Sequence, residues 1–171
     1  MIEAAEIETG DLVLEPSAGT GNLIRALPPG CHVTAVEKNL SLAQGLKSVF
    51  GRNAIQGTIF ALDFLEFGEK EGTVKYNRIV MNPPFENGAD IKHIQHARTF
   101  LAPGGRLVAL CANGPRQQAA LKPIASEWTE LPPGSFKSHG TGVNVALLVI
   151  DAPKPARPAP MQRKPEQLTM F

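Results

Sequence analysis

Short apolar runs recur along the chain with amphipathic segments between them, and this alternation constrains the fold more than any other feature. Five runs have the length and apolar content of buried strands: residues 12–15, 32–37, 78–82, 106–111 and 145–151. Apolar residues at helical spacing fill three of the intervening segments, at 22–27, 40–50 and 89–101. The alternation predicts an α/β fold with a mostly parallel sheet and helices on both faces.

Weaker signals complete this prediction. A further strand, third along the chain, is expected over residues 54–57. Pro103-Gly104-Gly105 should end the third helix and turn the chain into the next strand. Residues 114–128 have a weak helical pattern that Pro123 interrupts.

The length and the proline distribution predict one folded domain and a tail. A chain of 171 residues with 43% hydrophobic content can bury one core and has little room for a second. Five of the fifteen prolines lie after Asp151, among alanines and basic residues. We therefore expect a domain at residues 1–150 and a disordered, extended, proline-rich tail at 151–171.

Composition argues against a membrane or secreted protein. No run approaches the 18 apolar residues or so that a transmembrane helix needs, and the first eleven residues contain four acids and no base, unlike a signal peptide. Cys31 and Cys111 lack C-x-x-C spacing, which favours two reduced, buried thiols over a disulfide or a metal pair. The sequence thus predicts a cytoplasmic protein.

Charge is unevenly distributed. Residues 1–91 contain 7 basic and 12 acidic residues, whereas residues 92–150 contain 6 and 2, and the tail 4 and 2. The second half is the better candidate for contact with a polyanion, although a solvated face explains the excess almost as well.

A glycine-rich loop follows the first predicted strand and precedes a helix. The residues Glu15-Pro-Ser-Ala-Gly-Thr-Gly21 lie where open parallel sheets bind nucleotides, beyond the carboxyl ends of the strands. No P-loop string occurs, and the dinucleotide fingerprint fails because Ile24 stands at its last position.

Two acids downstream fit the same site. Glu37 ends the second strand, 18 residues after Gly19, where a carboxylate can accept hydrogen bonds from both hydroxyls of a ribose. Asp63-Phe64 follows the third strand, at a position suited to an adenine amino group and ring. Alternatively, Glu37 is a helix-start acid beside Asn39, and Asp63 is a turn residue.

The fourth strand runs directly into Asn82-Pro83-Pro84-Phe85, the most specific string in the chain. Its alternative interpretation is a proline turn that ends a strand, with the phenylalanine in the core. Together with EPSAGTG, this string makes the chain resemble the class I S-adenosylmethionine-dependent methyltransferases, and among them the amino-methylating group typified by DNA adenine-N6 methyltransferases. The resemblance covers roughly residues 10–150 and extends to a compact bacterial and phage branch through PFENGADIKHIQHA and LAPGGRLVAL.

The resemblance implies a Rossmann-like fold with a seven-stranded sheet, and S-adenosylmethionine as cofactor with S-adenosylhomocysteine as product. The catalytic residues that it implies are Asn82, Pro83, Pro84 and Phe85. The cofactor-binding residues that it implies are Glu15, Pro16, Ser17, Ala18, Gly19, Thr20, Gly21, Asn22, Glu37, Lys38, Asp63, Phe64 and Asn82.

The chemistry of an adenine amino group agrees with this carry-over. Its lone pair is delocalised into the ring, so acceptors aimed at its two hydrogens favour a pyramidal, nucleophilic nitrogen. The Asn82 side-chain oxygen and the Pro83 carbonyl would be those acceptors, on a loop that two prolines stiffen. Phe85 would stack on the base, and a base in a duplex would have to be flipped out.

Residues 131–144 are expected to form a loop or hairpin over the active site. Phe136 could supply a second stacking face, or simply fill core, and Lys137 a phosphate contact. His93 and His96 have helical i, i+3 spacing, but no third ligand has suitable spacing, so we predict no metal and expect both to be solvated or hydrogen-bonded.

Room for target recognition is small. No separate recognition domain fits between residues 85 and 150, which predicts low sequence specificity or help from a partner.

Only eleven residues precede Leu12, where the family has a further element near the methionine end of the cofactor. RNA adenine and protein glutamine are alternative acceptors, and a cofactor-binding accessory subunit without activity is an alternative role.

The last five residues resemble the Q-L-x-(L/M)-F peptides with which bacterial replication and repair proteins bind the DNA sliding clamp. Gln167 would be a hydrogen-bonding anchor, and Leu168, Met170 and Phe171 apolar ones. A frayed terminus is the equal alternative for this peptide. The sequence as a whole predicts two partners, DNA and a sliding clamp, in the cytoplasm of a bacterial or phage-infected cell.

Overall fold

The predicted alternation forms a seven-stranded sheet in the computed structural model, which describes residues 1–52, 56–68, 74–135 and 143–154. The strands are β1 (Leu12–Glu15), β2 (His32–Val36), β3 (Gln56–Phe60), β4 (Tyr76–Met81), β5 (Leu101–Ala112), β6 (Glu127–Glu130) and β7 (Val145–Asp151). Their order in the described sheet is β3-β2-β1-β4-β5-β7-β6; β7 pairs antiparallel with both β5 and β6, and the other pairs are parallel. The mostly parallel sheet is confirmed.

Helices cover both faces of the sheet, as predicted. They are α1 (Asn22–Arg25), α2 (Leu40–Arg52), α3 (Ala89–Arg98) and α4 (Pro115–Leu121). One buried cluster joins α1 and α2 to the sheet through Ile24 and Leu46. The other joins α3 and α4 to the opposite face through Ile94 and Leu121. None of the helices in the described ranges is long and apolar enough to cross a bilayer.

The direction of strand addition reverses between β1 and β4, which are neighbours in the sheet. From β1 the chain adds β2 and β3 on one side, then returns to add β4 and β5 on the other. Such a switch point opens a crevice beyond the carboxyl ends of the two central strands. The glycine-rich loop follows β1 there, and Asn82 follows β4.

Several predicted boundaries shift by one to five residues. The third strand is described at Gln56–Phe60 and so extends beyond residue 57, because residues 58–60 continue to pair with β2, whereas residues 54 and 55 of the predicted 54–57 lie outside the described residues. The third helix ends at Arg98 rather than 101, since Leu101 already pairs with Tyr76 as the first residue of β5. Pro103-Gly104-Gly105 therefore lies inside β5, where Gly104 has a φ of +74°.

The weak helix predicted over residues 114–128 is wrong in its second half. Helix α4 stops at Leu121, a 3-10 turn holds Pro123, and the chain then forms edge strand β6 against β7. Trp128 on β6 packs against the core, and the Lys122 ammonium lies 5.3 Å from the centre of its ring.

Residues 1–7, the N-terminal segment, pack on the face that carries α1 and α2. Ala5 is fully buried there. The Arg106 guanidinium donates hydrogen bonds to the Ala4 carbonyl at 3.2 Å and to the Glu6 carboxylate at 3.0 Å, and it also pairs with Asp151 at 2.8 Å. The segment before β1 is therefore part of the folded domain.

Residues 152–154 leave the sheet at the amino end of β5. The Ala152 amide donates to the Gly105 carbonyl, and the Gly104 amide donates to the Pro153 carbonyl. These residues and the glycine-rich loop therefore lie at opposite ends of the strands.

Candidate active site

Two glycines shape the loop after β1. Gly19 and Gly21 have φ angles of +53° and +81°, in the left-handed region that favours glycine. A Cβ on Gly21 would lie 2.8 Å from Leu46, so this glycine lets α1 approach α2 closely. No described atom lies within 4 Å of a Cβ added to Gly19, which leaves space for a ligand at that residue.

The Glu37 carboxylate ties this loop to the end of β2. Its Oε2 accepts a hydrogen bond from the Gly19 amide at 2.7 Å, and its Oε1 accepts one from the Asn39 amide at 2.7 Å. Glu37 therefore reaches the glycine-rich loop and also organises the start of α2, while its role at a ribose stays a prediction.

Asp63 and Phe64 occupy a 3-10 turn after β3. The Asp63 side chain accepts from the Leu65 amide at 3.0 Å and pairs with Lys38 at 2.8 Å. Hydrogen bonding from the Lys38 ammonium, and next from the Leu65 amide, lowers the pKa of Asp63 below its usual value. Phe64 is buried against Phe67 and His96.

A cavity of about 520 Å³ lies between these elements. The predicted site residues that line it are Pro16, Ser17, Glu37, Lys38, Asp63, Phe64 and Pro84. A second wall, which the sequence did not predict, consists of Leu65, Glu86, Asn87, Ala89, Lys92 and His93. Of the remaining predicted residues, Gly19 adjoins the cavity through its bond to Glu37, and Ala18 is buried. Thr20 is exposed and Gly21 buried, and Asn22 begins α1.

The Asn82-Pro83-Pro84-Phe85 string leaves β4 next to this cavity. Asn82 and Pro84 are exposed, Pro83 is buried and Phe85 is half-buried. Phe85 belongs to neither buried cluster, contrary to the interpretation in which it fills the core. The string continues into Asn87 and Gly88, both with positive φ, before α3 begins.

Glu15, the last residue of β1, has a buried carboxyl group whose hydrogen-bonding capacity is not fully used within the described residues. It is 2% exposed, and its Oε2 has no hydrogen-bond partner among the described residues. Burial raises the pKa of Glu15 well above its usual value, and the nearby charge of Glu37 raises it further.

The two histidines of α3 differ, although the sequence suggested the same environment for both. His96 Nε2 donates to the Phe67 carbonyl at 3.1 Å, as expected of a hydrogen-bonded histidine. His93 lies in the cavity wall, and its Nδ1 is buried with no partner among the described residues, so the predicted solvation or hydrogen bonding of this residue stays a prediction. Burial lowers the pKa of His93, which keeps its imidazole neutral near pH 7.

Six predicted contact residues lie outside the described residues. They are Phe136 and Lys137 in the expected overhanging loop, and Gln167, Leu168, Met170 and Phe171 in the expected clamp-binding peptide.

Solved structures establish the fold class. The chain superposes with a TM-score of 0.69 and 16% identity on a Listeria monocytogenes protein assigned to the class I S-adenosylmethionine-dependent methyltransferases, covering 92% of this chain and 58% of that one. A type I restriction-modification system methyltransferase subunit from Streptococcus thermophilus gives a TM-score of 0.70 and 16% identity, covering 88% and 41%. The fold is therefore that of the Rossmann-like class I methyltransferases.

Residues 3–131 match the family described as the methyltransferase small domain, and the chain belongs to this family. It is 26% identical over 129 residues to the ribosomal RNA small subunit methyltransferase C of Haemophilus influenzae, covering 63% of this chain and 38% of that protein. It is 40% identical over 72 residues to the ribosomal RNA small subunit methyltransferase A of Protochlamydia amoebophila, covering 42% and 25%. The chain thus spans well under half the length of these curated relatives.

Family and fold make S-adenosylmethionine the cofactor, and the residues of the cavity fit it. The open space at Gly19 admits a ligand close to the backbone. Glu37 and Asp63 line the cavity as carboxylate acceptors, which suit hydroxyl and amino donors. The Oε2 atom of Glu15 is a further polar atom at the base of the loop that has no partner among the described residues.

Proposed function

We propose that this chain transfers a methyl group from S-adenosylmethionine to the exocyclic N6 amino group of adenine, with DNA as the first acceptor to test. The observation that carries the proposal is the position of Asn82-Pro83-Pro84-Phe85, at the carboxyl end of β4 beside a cavity lined by Glu37 and Asp63.

The cofactor would lie along the glycine-rich loop and β2. When bound, it supplies a methyl group on a sulfonium, already activated for transfer. Gly19 and Gly21 would let the backbone approach its methionine end, Glu37 would accept from the ribose hydroxyls, and Asp63 would accept from the adenine amino group. Lys38 and Phe64 would border the adenine.

The loop after β4 would activate the acceptor amine. The Asn82 side-chain oxygen and the Pro83 carbonyl would accept from the two hydrogens of the amine, favouring a pyramidal nitrogen whose lone pair faces the methyl group. Because two prolines restrict the loop, its acceptors need little reorganisation when the substrate arrives. Half-buried Phe85 offers a ring face for stacking, and we propose Phe136 and Lys137 as further substrate contacts.

RNA adenine is the second candidate acceptor. The two curated relatives reported above are both named as ribosomal RNA small subunit methyltransferases. Since stacking and the two acceptors would act on the base alone, the same loop serves adenine in either nucleic acid. Low sequence specificity remains part of the proposal. Elements β5, α4, β6 and β7 occupy most of the chain between residues 85 and 150, which leaves little of it for a separate domain that would recognise a target sequence.

Nucleoside mass spectrometry tests the proposal. DNA and RNA of matched sequence, single-stranded and duplex, are incubated separately with the protein and cofactor, then digested. We expect N6-methyladenine in at least one of them. At saturating cofactor, Asn82→Ala should lower its yield by about 100-fold or more, because one transition-state contact is lost.

Asn77→Ala, at the opposite end of β4, is the matched control and should retain activity. Methyladenine in RNA but not in DNA would make RNA, and not DNA, the acceptor in the proposal. Methylation of a protein amide with neither nucleic acid modified, or full activity of Asn82→Ala, would contradict the proposal.

We also propose that the chain binds a bacterial sliding clamp through Gln167, Leu168, Met170 and Phe171. The support is the sequence of this peptide alone. A pull-down with purified clamp should lose its signal when residues 167–171 are deleted, and undiminished capture of the truncated chain would contradict the proposal.

A further inference from the structure

A buried carboxylate lies just beyond the loop that carries Asn82. Asp90, in the first turn of α3, is completely buried. Its Oδ1 accepts from the Ile91 amide at 2.9 Å, and its Oδ2 accepts from the Ala112 amide at 3.0 Å. Gln117 Nε2 lies 3.2 Å from both oxygens and donates to them.

These bonds join three elements through one side chain. Ala112 is the last residue of β5, and Gln117 lies on α4 and is itself buried. The donors are all neutral N–H groups, so hydrogen bonds hold the Asp90 side chain in place within the described residues. Losing one donor would leave a buried charge short of partners, so the network strongly favours a single arrangement.

Helix α4 holds the same loop at a second point. Arg116, next to Gln117, donates to the Asn87 carbonyl at 3.3 Å. Its guanidinium also lies over Gly88, since an added Cβ there would be 2.8 Å from Arg116 Cζ. Asn87 and Gly88 both have positive φ, so the contact falls on the sharpest turn between β4 and α3.

We infer that Asp90, Arg116 and Gln117 are positioning residues, and that α4 through them fixes the active-site loop, residues 82–88, against the end of β5. One end of the loop is held by β4 in the centre of the sheet. The other end is held by Asp90 and Gln117, which are buried, and by Arg116, which is exposed. The inference rests on the proposed function only for the role of the loop.

The position of the loop matters because amine activation depends on the direction of two acceptors. Asn82 and Pro83 contribute only if their oxygens point at the amine when it arrives. A displacement of about 1 Å can lower a rate by about 100-fold. Residues that do not line the cavity can therefore control turnover by positioning this loop.

Hydrogen exchange measured by mass spectrometry tests this arrangement on the intact chain. In Gln117→Leu, amides of residues 82–91 should exchange about 10-fold faster or more, because the loop loses its inner tether. Amides of β1 and β2 should be unchanged. Gln118→Leu is the matched control, since Gln118 is the next residue on α4 and bonds to Asn113 and Lys122 instead.

Activity and cofactor binding provide independent readouts. The kcat of Gln117→Leu should fall about 10- to 100-fold, with the Kd of the cofactor within about twofold of the native value, because Gln117 does not line the cavity. Arg116→Ala, a surface variant, should show a smaller change in loop exchange, and Asp90→Asn a larger one.

Equal loop exchange in Gln117→Leu and Gln118→Leu would overturn the inference. So would an equal fall in kcat in these two variants, or a loss of kcat that merely follows loss of cofactor binding. If the chain modified no adenine at all, the proposed function would fail while the exchange experiment still decided the role of α4.

Discussion

At the scale of single residues, Glu15 links the stability of the domain to pH. Its carboxyl is buried at the end of β1, and burial, with the charge of Glu37, raises its pKa in the folded state. The folded protein therefore holds this proton more tightly than the unfolded chain does. Stability that Glu15 contributes at low pH is lost as the pH rises above about 4.5, the ordinary pKa, towards the raised value.

Glu15→Gln should remove this dependence. Glutamine has nearly the same shape and no charge, so the free energy of unfolding of the variant should exceed that of the native protein increasingly as pH rises. The gap should widen by up to about 1.4 kcal/mol per pH unit until Glu15 ionises in the folded state. Urea unfolding from pH 5 to 8 without cofactor measures it, with Glu130→Gln on the exposed face of β6 as control. A gap independent of pH would contradict the prediction.

At the scale of elements, the two glycines of the β1 loop have separable roles. Gly21→Ala should destabilise the protein by about 2–3 kcal/mol, because a left-handed φ and contact with buried Leu46 both oppose a Cβ. Gly19→Ala carries the backbone cost of about 1 kcal/mol alone, but it fills the space next to Glu37 and should weaken cofactor binding. Thermal unfolding and calorimetric titration separate the two effects. Equal stability losses with unchanged cofactor affinity would contradict this division.

The sequence predicts elements well where their residues face a core on both sides. β1, β4, β5 and β7 each contain a continuous apolar run, and the parallel sheet follows from these runs. Strand β6 escapes prediction because Trp128 is its only apolar residue, and its pairing with β7 depends on contacts distant in sequence. Leu101 continues the apolar stripe of α3, yet it pairs with Tyr76, which no local pattern reveals.

The site is predicted to a similar extent. Glu37, Asp63 and Pro84 come together because parallel strands end at one edge, and loop motifs after strands are visible in sequence. The α3 wall is not predictable in this way. His93 lies beside the apolar stripe of Ile91 and Ile94, and only packing against Phe64, with ring centres 5.8 Å apart, makes it part of the cavity.

At the scale of the whole molecule, Arg106 fastens the N-terminal segment to the sheet. Its side chain is about one-fifth exposed and bonds to residues that lie far apart in the chain. Arg106→Met should lower the free energy of unfolding by about 1–2 kcal/mol, discounting for partly exposed partners. Urea unfolding measures this loss, and limited proteolysis should cut within residues 1–10 sooner. Exposed Arg98→Met is the control, and equal stability of the two variants would contradict the prediction.

The position of Lys154 in the fold has a practical consequence. It lies beside Gly104 at the amino end of β5, whereas the cavity lies beyond the carboxyl ends of the parallel strands. Arg106, towards the amino end of β5, and Ala112, at its carboxyl end, lie six residues apart. The two ends of the strands are therefore separated by about 20 Å. A dye or a surface linkage attached through Lys154 would therefore lie away from the cavity, so cofactor binding by the free and the immobilised protein can be compared in the same measurement.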